Sequence, residues 1–84
     1  SGDAYSRPGL DPRSRQLVTM GVLTALGGCE PQLRFHIGAA LNVGLTREEI
    51  VEAILHASVY AGFPRALNAT FVAHEVFAER DATD

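Results

Sequence analysis

The sequence predicts an all-α fold, a small bundle of about four helices with a central αα-hairpin. Three observations carry this reading. No stretch alternates with a period of two over the length of a strand, whereas Ile50, Ile54, Ala57 and Ala61 recur at helical spacing. Helix-starting residues and helix-ending glycines punctuate the chain at nearly regular intervals. The connections between them are short, which makes neighbouring helices antiparallel.

Taken in order, residues 1–10 (SGDAYSRPGL) are expected as an irregular lead-in. Asp11 and Pro12 open the first predicted helix. A carboxylate accepts hydrogen bonds from the unpaired amides of a first turn, and proline has no amide to lose there. Gly27 and Gly28 end that helix, Pro31 starts a second, and Gly44 stops it. Thr46, Arg47, Glu48 and Glu49 have the spacing of a capping box, in which hydroxyl and carboxylate each bond the other's backbone amide. The third helix opens there and ends at Gly62. Pro64 begins the fourth. The second and third helices form the hairpin, turning around NVGLT, residues 42–46.

At 84 residues the chain is one domain, 1–84. A domain of this size buries only about 60–65% of the surface its unfolded chain exposes, so an additional source of stability is expected. The single cysteine cannot close an internal disulfide and no zinc-ligand pattern is visible, which points to a reduced, cytoplasmic protein without a metal staple. Association between chains remains. Hydrophobic residues make up 46% of a chain without tryptophan, a share that predicts a homo-oligomer with part of its core at subunit interfaces.

Ten acids against seven bases give a net charge of −3, and no basic run occurs, so a nucleic-acid partner is not expected. The longest mostly apolar run, LVTMGVLTALGG, is too short and too interrupted to span a bilayer, and no signal-peptide pattern opens the chain. A soluble protein with no membrane partner is the expectation.

The candidate chemistry centres on CEPQLRFH, residues 29–36. Were Cys29 and His36 both helical, seven residues would separate them by about 10.5 Å along the axis, too far for direct contact. A histidine that activates a thiol on its own helix sits three or four residues away, and the position four before His36 is Gln32. Cys29 lies near a helix start and is a candidate redox thiol or a small buried apolar residue. His36 shares its helical face with Leu33, Ile37 and Ala40. It reads either as a satisfied core histidine or as a general acid or base.

His56 follows Glu52 by one turn in a stripe with Glu48 and Tyr60, an arrangement that fits an oriented imidazole or a plain outer face. His74 reads as surface or interface. The three histidines fall on three predicted helices without a metal-ligand spacing, and no metal is expected. Neither a phosphate-binding glycine loop nor a nucleophile elbow occurs. Arg7, Arg13 and Arg15 crowd the front of the chain, a candidate anion site because guanidinium groups bind carboxylates in pairs of hydrogen bonds.

With these residues in view, the chain resembles the carboxymuconolactone decarboxylase family of the alkylhydroperoxidase D-like superfamily. The entry residues Gly2, Asp3, Arg7, Pro8, Gly9 and Leu10 resemble the family's, as do RQLVTMGVLTAL, the long segment from Leu33 to Pro64, and NATFVAHEVF. The likeness covers essentially all 84 residues, although family members usually carry roughly a third more chain upstream.

The resemblance implies an all-α fold, a trimer or hexamer, and a cofactor-free lyase. It further implies decarboxylation of a carboxylated unsaturated lactone, 4-carboxymuconolactone to 3-oxoadipate enol-lactone and CO2, in aromatic catabolism. His36 would be the catalytic acid, with Arg7 and Arg15 binding the substrate. The alkylhydroperoxidase D branch carries Cys-x-x-Cys-x-x-x-His, whose residues fall here at Cys29, Gln32 and His36. Half of the dithiol is missing. Where many members place a glutamate after an arginine in the first helix, this chain has Gln16 after Arg15. The alternatives are a thiol-dependent hydroperoxide reductase using Cys29, and a non-catalytic or biosynthetic member of the family.

Overall fold

A computed structural model describes residues 2–83, all helices and turns. The helices are α1 (Gly2–Ser6), α2 (Pro12–Leu26), α3 (Glu30–Asn42), α4 (Arg47–Ala61) and α5 (Phe63–Thr83). Four of them begin within a residue of their sequence signals, and α2, α3 and α4 end within two residues of theirs. The difference is α1, a single helical turn inside the lead-in expected to be irregular. Side chains from α2 account for it: Thr19 shares a hydrogen bond with the Tyr5 hydroxyl, and Arg15 donates to the carbonyls of Arg7 and Leu10.

Local chemistry sets the helix starts. Asp11 accepts from the Ser14 amide and hydroxyl, both at 2.9 Å, and so caps α2. At α4 the capping box closes in both directions, the Glu49 amide donating to Thr46 Oγ1 at 3.0 Å and the Thr46 amide to Glu49 Oε1 at 2.9 Å. Arg13 adds a two-pronged ion pair to the same carboxylate, which ties the start of α2 to the start of α4. Gly27 ends α2 with φ +70°, and a Cβ there would come within 2.7 Å of Arg65 Nε. Glycine meets both demands at once.

Helix α4 packs on α2 and α5, and α3 packs on the same two helices, so the α3–α4 connection crosses the bundle with little contact between the pair it joins. The core runs through the middle of this arrangement. Met20 of α2, Leu33 and Ile37 of α3, Ile50 and Ile54 of α4, and Ala69 and Ala73 of α5 are almost wholly buried. Burying each of the larger side chains contributes about 1.5–3 kcal/mol. Ion pairs fasten the outer edges: Arg34 pairs with Glu75 and Glu79, Arg47 with Asp81, and Arg80 donates to the Gly38 carbonyl and Asn42 Oδ1.

A second apolar face stays uncovered. Val18, Val22 and Leu26 stand out from α2 at four-residue spacing, as Leu55, Val59 and Phe63 do from α4 into the start of α5, with Val59 73% and Phe63 69% exposed. Among the described residues, no helix is long and apolar enough to cross a membrane.

Candidate functional site

The inward stripe of α2 is Gln16, Met20 and Thr24, one residue per turn, so a polar amide enters the same layer as the core. Helix α3 presents Leu33, Ile37 and Ala40 to that layer, and His36, next to Ile37, emerges half-buried at its edge. The two helices bring Gln16 Oε1 to 3.2 Å from His36 Nδ1. Gln16 is 6% exposed.

Aromatic rings complete the surroundings of the imidazole. Tyr5 stacks over it, centroids 6.2 Å apart and planes inclined by 16°, while Phe35 meets it edge-on at 5.2 Å. Tyr5 also lines a cleft of about 140 Å³ with Ala4, Leu10, Arg15, Val18 and Thr19. That volume is below the usual range for a small-molecule site, roughly 300–1,000 Å³. Tyr5 both lines this cleft and stacks on the imidazole.

The three arginines of the front segment have separate positions. Arg13 is engaged by Glu49. Arg15 commits Nε to the Leu10 carbonyl at 2.8 Å and Nη2 to the Arg7 carbonyl at 2.7 Å. Arg7 is exposed, and its side chain has no partner among the described residues. Arg15 thus holds the segment that carries Arg7.

Cys29 occupies the residue before α3, half-buried, with its thiol donating to the Gly27 carbonyl at 3.5 Å. His56 lies exposed on α4 with its ring against Tyr60 at 5.7 Å, and Glu52 does not bond it. His74, exposed on α5, meets Phe77 edge-on. The three lie on different elements, before α3, on α4 and on α5. No cluster of three metal-ligating side chains forms among the described residues.

Sequence reasoning noticed Gln16 only as the place of a glutamate and passed over Tyr5. The four-residue spacing of Gln16, Met20 and Thr24 was the available signal for an inward amide. Tyr5 had none, because its place depends on how the lead-in folds back.

The sequence pattern of the carboxymuconolactone decarboxylase family matches residues 1–75. The 4-carboxymuconolactone decarboxylase of Acinetobacter baylyi is 49% identical over 78 residues, covering 93% of this chain and 58% of that protein. The nitrosuccinic acid decarboxylase of Metarhizium robertsii is 41% identical over 71 residues, 84% of this chain and 49% of that protein. An alkyl hydroperoxide reductase of Corynebacterium aurimucosum is 36% identical over 67 residues, 80% of this chain and 37% of its own length. The chain thus spans little more than half the length of the first of these relatives. On the match over residues 1–75 and on the identity to these relatives, the chain belongs to the carboxymuconolactone decarboxylase family.

Proposed function

We propose that this protein is a carboxy-lyase that removes CO2 from a carboxylated unsaturated lactone, with His36 as the proton donor. Support comes from one observation above the others: an imidazole at the edge of an apolar layer, fixed on one side and flanked by rings, in a chain 49% identical to a 4-carboxymuconolactone decarboxylase. The substrate of that relative is the one proposed here, giving 3-oxoadipate enol-lactone within aromatic catabolism.

The chemistry balances with protein groups alone. The bond from carbon to the departing carboxylate breaks, and its electron pair passes into the conjugated lactone carbonyl as a dienolate. His36 then gives its proton to carbon, a C–H bond forms, and solvent reprotonates the imidazole. No cofactor enters these steps. Arg7 is proposed to bind a substrate carboxylate, and Arg15, with its remaining Nη1 edge, to assist while holding the Arg7 segment. Apolar surroundings favour loss of charge from the reacting carboxylate, and Tyr5 must move aside to admit the lactone.

The remaining expectations belong to the same proposal. The uncovered faces of α2 and α4 support a homo-oligomer, a trimer or hexamer. A lone half-buried thiol suits the reducing cytoplasm.

The deciding experiment follows 4-carboxymuconolactone by ultraviolet absorbance and mass spectrometry. His36→Gln lowers turnover by about 10²–10⁴-fold in a folded protein. Turnover equal to the parent's removes His36 from the role. Absence of turnover with any lactone tested favours a non-catalytic member of the family.

A further inference from the structure

From the contact between Gln16 and His36 we infer that Gln16 is a positioning residue that sets the tautomer of His36, placing the hydrogen on Nδ1 and leaving Nε2 as the nitrogen that exchanges protons with the substrate. The assignment of Nε2 as the delivering atom rests on the proposed lyase reading; the tautomer itself does not.

Which imidazole nitrogen carries hydrogen is decided by the bond the other groups offer it. Gln16 Oε1 lies 3.2 Å from Nδ1, and an amide oxygen only accepts, so a neutral ring bonds it only as the Nδ1–H form. Burial makes this preference strong. Gln16 is 6% exposed, and a buried acceptor left without a donor is strongly disfavoured. A histidine free in water favours the opposite, Nε2–H form.

Among the described residues, no other polar group bonds the ring. Tyr5 approaches by its face and spends its hydroxyl on Thr19, Phe35 offers only its edge, and no carboxylate among the described residues bonds the imidazole. The ring therefore keeps its Nδ1–H bond to Gln16 in both protonation states. Proton delivery breaks Nε2–H, forms C–H on the dienolate, and returns the same tautomer without rotation of the ring.

A carboxylate at this position would serve the ring in the same way. Either group accepts from Nδ1–H, so the tautomer is preserved across the change. Only the charge differs.

The test is long-range ¹H–¹⁵N correlation of the labelled protein at about pH 9, where imidazoles are neutral. His36 is assigned by the signal that disappears in His36→Gln. The expected result is a hydrogen-bearing Nδ1 and a bare Nε2 in the parent and in Gln16→Glu. Gln16→Leu, with helical circular dichroism retained, loses this signature, and its kcat falls about 10- to 100-fold with KM unchanged. An Nε2–H signal in the parent overturns the assignment, as does an unaltered Nδ1–H signal in Gln16→Leu. If Gln16→Leu does not fold, the parent and Gln16→Glu spectra decide alone. A parent that shows the Nδ1–H form without lactone turnover retains Gln16's role and refutes the lyase reading.

Discussion

Tyr5 covers His36: its ring lies 6.2 Å from the imidazole at 16° from parallel, and a hydrogen bond of 2.9 Å to Thr19 holds its hydroxyl in place. The cover belongs to a single helical turn that lies along α2 and reaches α3 through the Tyr5 ring. Removing the ring therefore exposes the imidazole without disturbing the core. Tyr5→Ala should raise the rate at which diethylpyrocarbonate modifies His36, measured by peptide mass spectrometry. His56 and His74, exposed on other helices, serve as internal references whose rates stay constant. A His36 rate equal to the parent's would show that Tyr5 does not shield it.

Cys29 tests the rival thiol chemistry. Its sulfur faces the Gly27 carbonyl from the residue before α3, and Gln32 stands where a second thiol would be needed. Cys29→Ser is expected to leave lactone turnover within about twofold of the parent, since no step of the proposed proton transfer involves sulfur. Peroxide reduction that vanishes in this variant, in a protein without lactone turnover, would instead establish a thiol reductase.

The helix plan was legible where starts and stops are enforced by contacts within a few residues. Asp11 with Ser14, and Thr46 with Glu49, close their caps over three positions, and Gly27 and Gly62 end helices with positive φ. His36 was legible as a polar residue on an apolar face. Its partners were not. Gln16 is twenty residues away and Tyr5 thirty-one, and their meeting depends on how α1 and α3 lie across α2. The pairings of Arg13 with Glu49 and Arg15 with the Arg7 carbonyl are equally non-local or backbone-directed. Residue type alone suggested one anion site shared by Arg7, Arg13 and Arg15.

The uncovered apolar ridges carry the oligomer prediction. Val59 and Phe63, with Leu55, are each more than half exposed, and large apolar side chains left uncovered in this way on a small protein mark an association surface. The double variant Val59→Glu, Phe63→Glu should lower the mass found by size-exclusion chromatography with light scattering while retaining helical circular dichroism. Both side chains are outside the core, so folding is not at stake. A parent that elutes as a monomer defeats the prediction, and so does a double variant of unchanged mass.

The last prediction concerns acid. The Thr46 amide, and after it the Arg13 guanidinium, hold the Glu49 carboxyl below its ordinary value of 4.5. The Ser14 amide does the same for Asp11, and Arg47 for Asp81, each below 3.8. Folding thus favours the ionised forms. Their stabilisation is complete above the unfolded values and is lost as pH falls through the lower, folded ones. The urea midpoint should hold from about pH 7 to about pH 5 and then decline below about pH 4.5. Glu49→Gln should lower the midpoint near neutrality, by a difference that shrinks toward about pH 3 as the parent's carboxylate becomes protonated. Because a backbone amide is the foremost cause at Glu49, most of this difference should survive about 0.5 M NaCl, which screens the exposed Arg13 pair. A decline of equal depth in parent and variant would show that Glu49 plays no part in it.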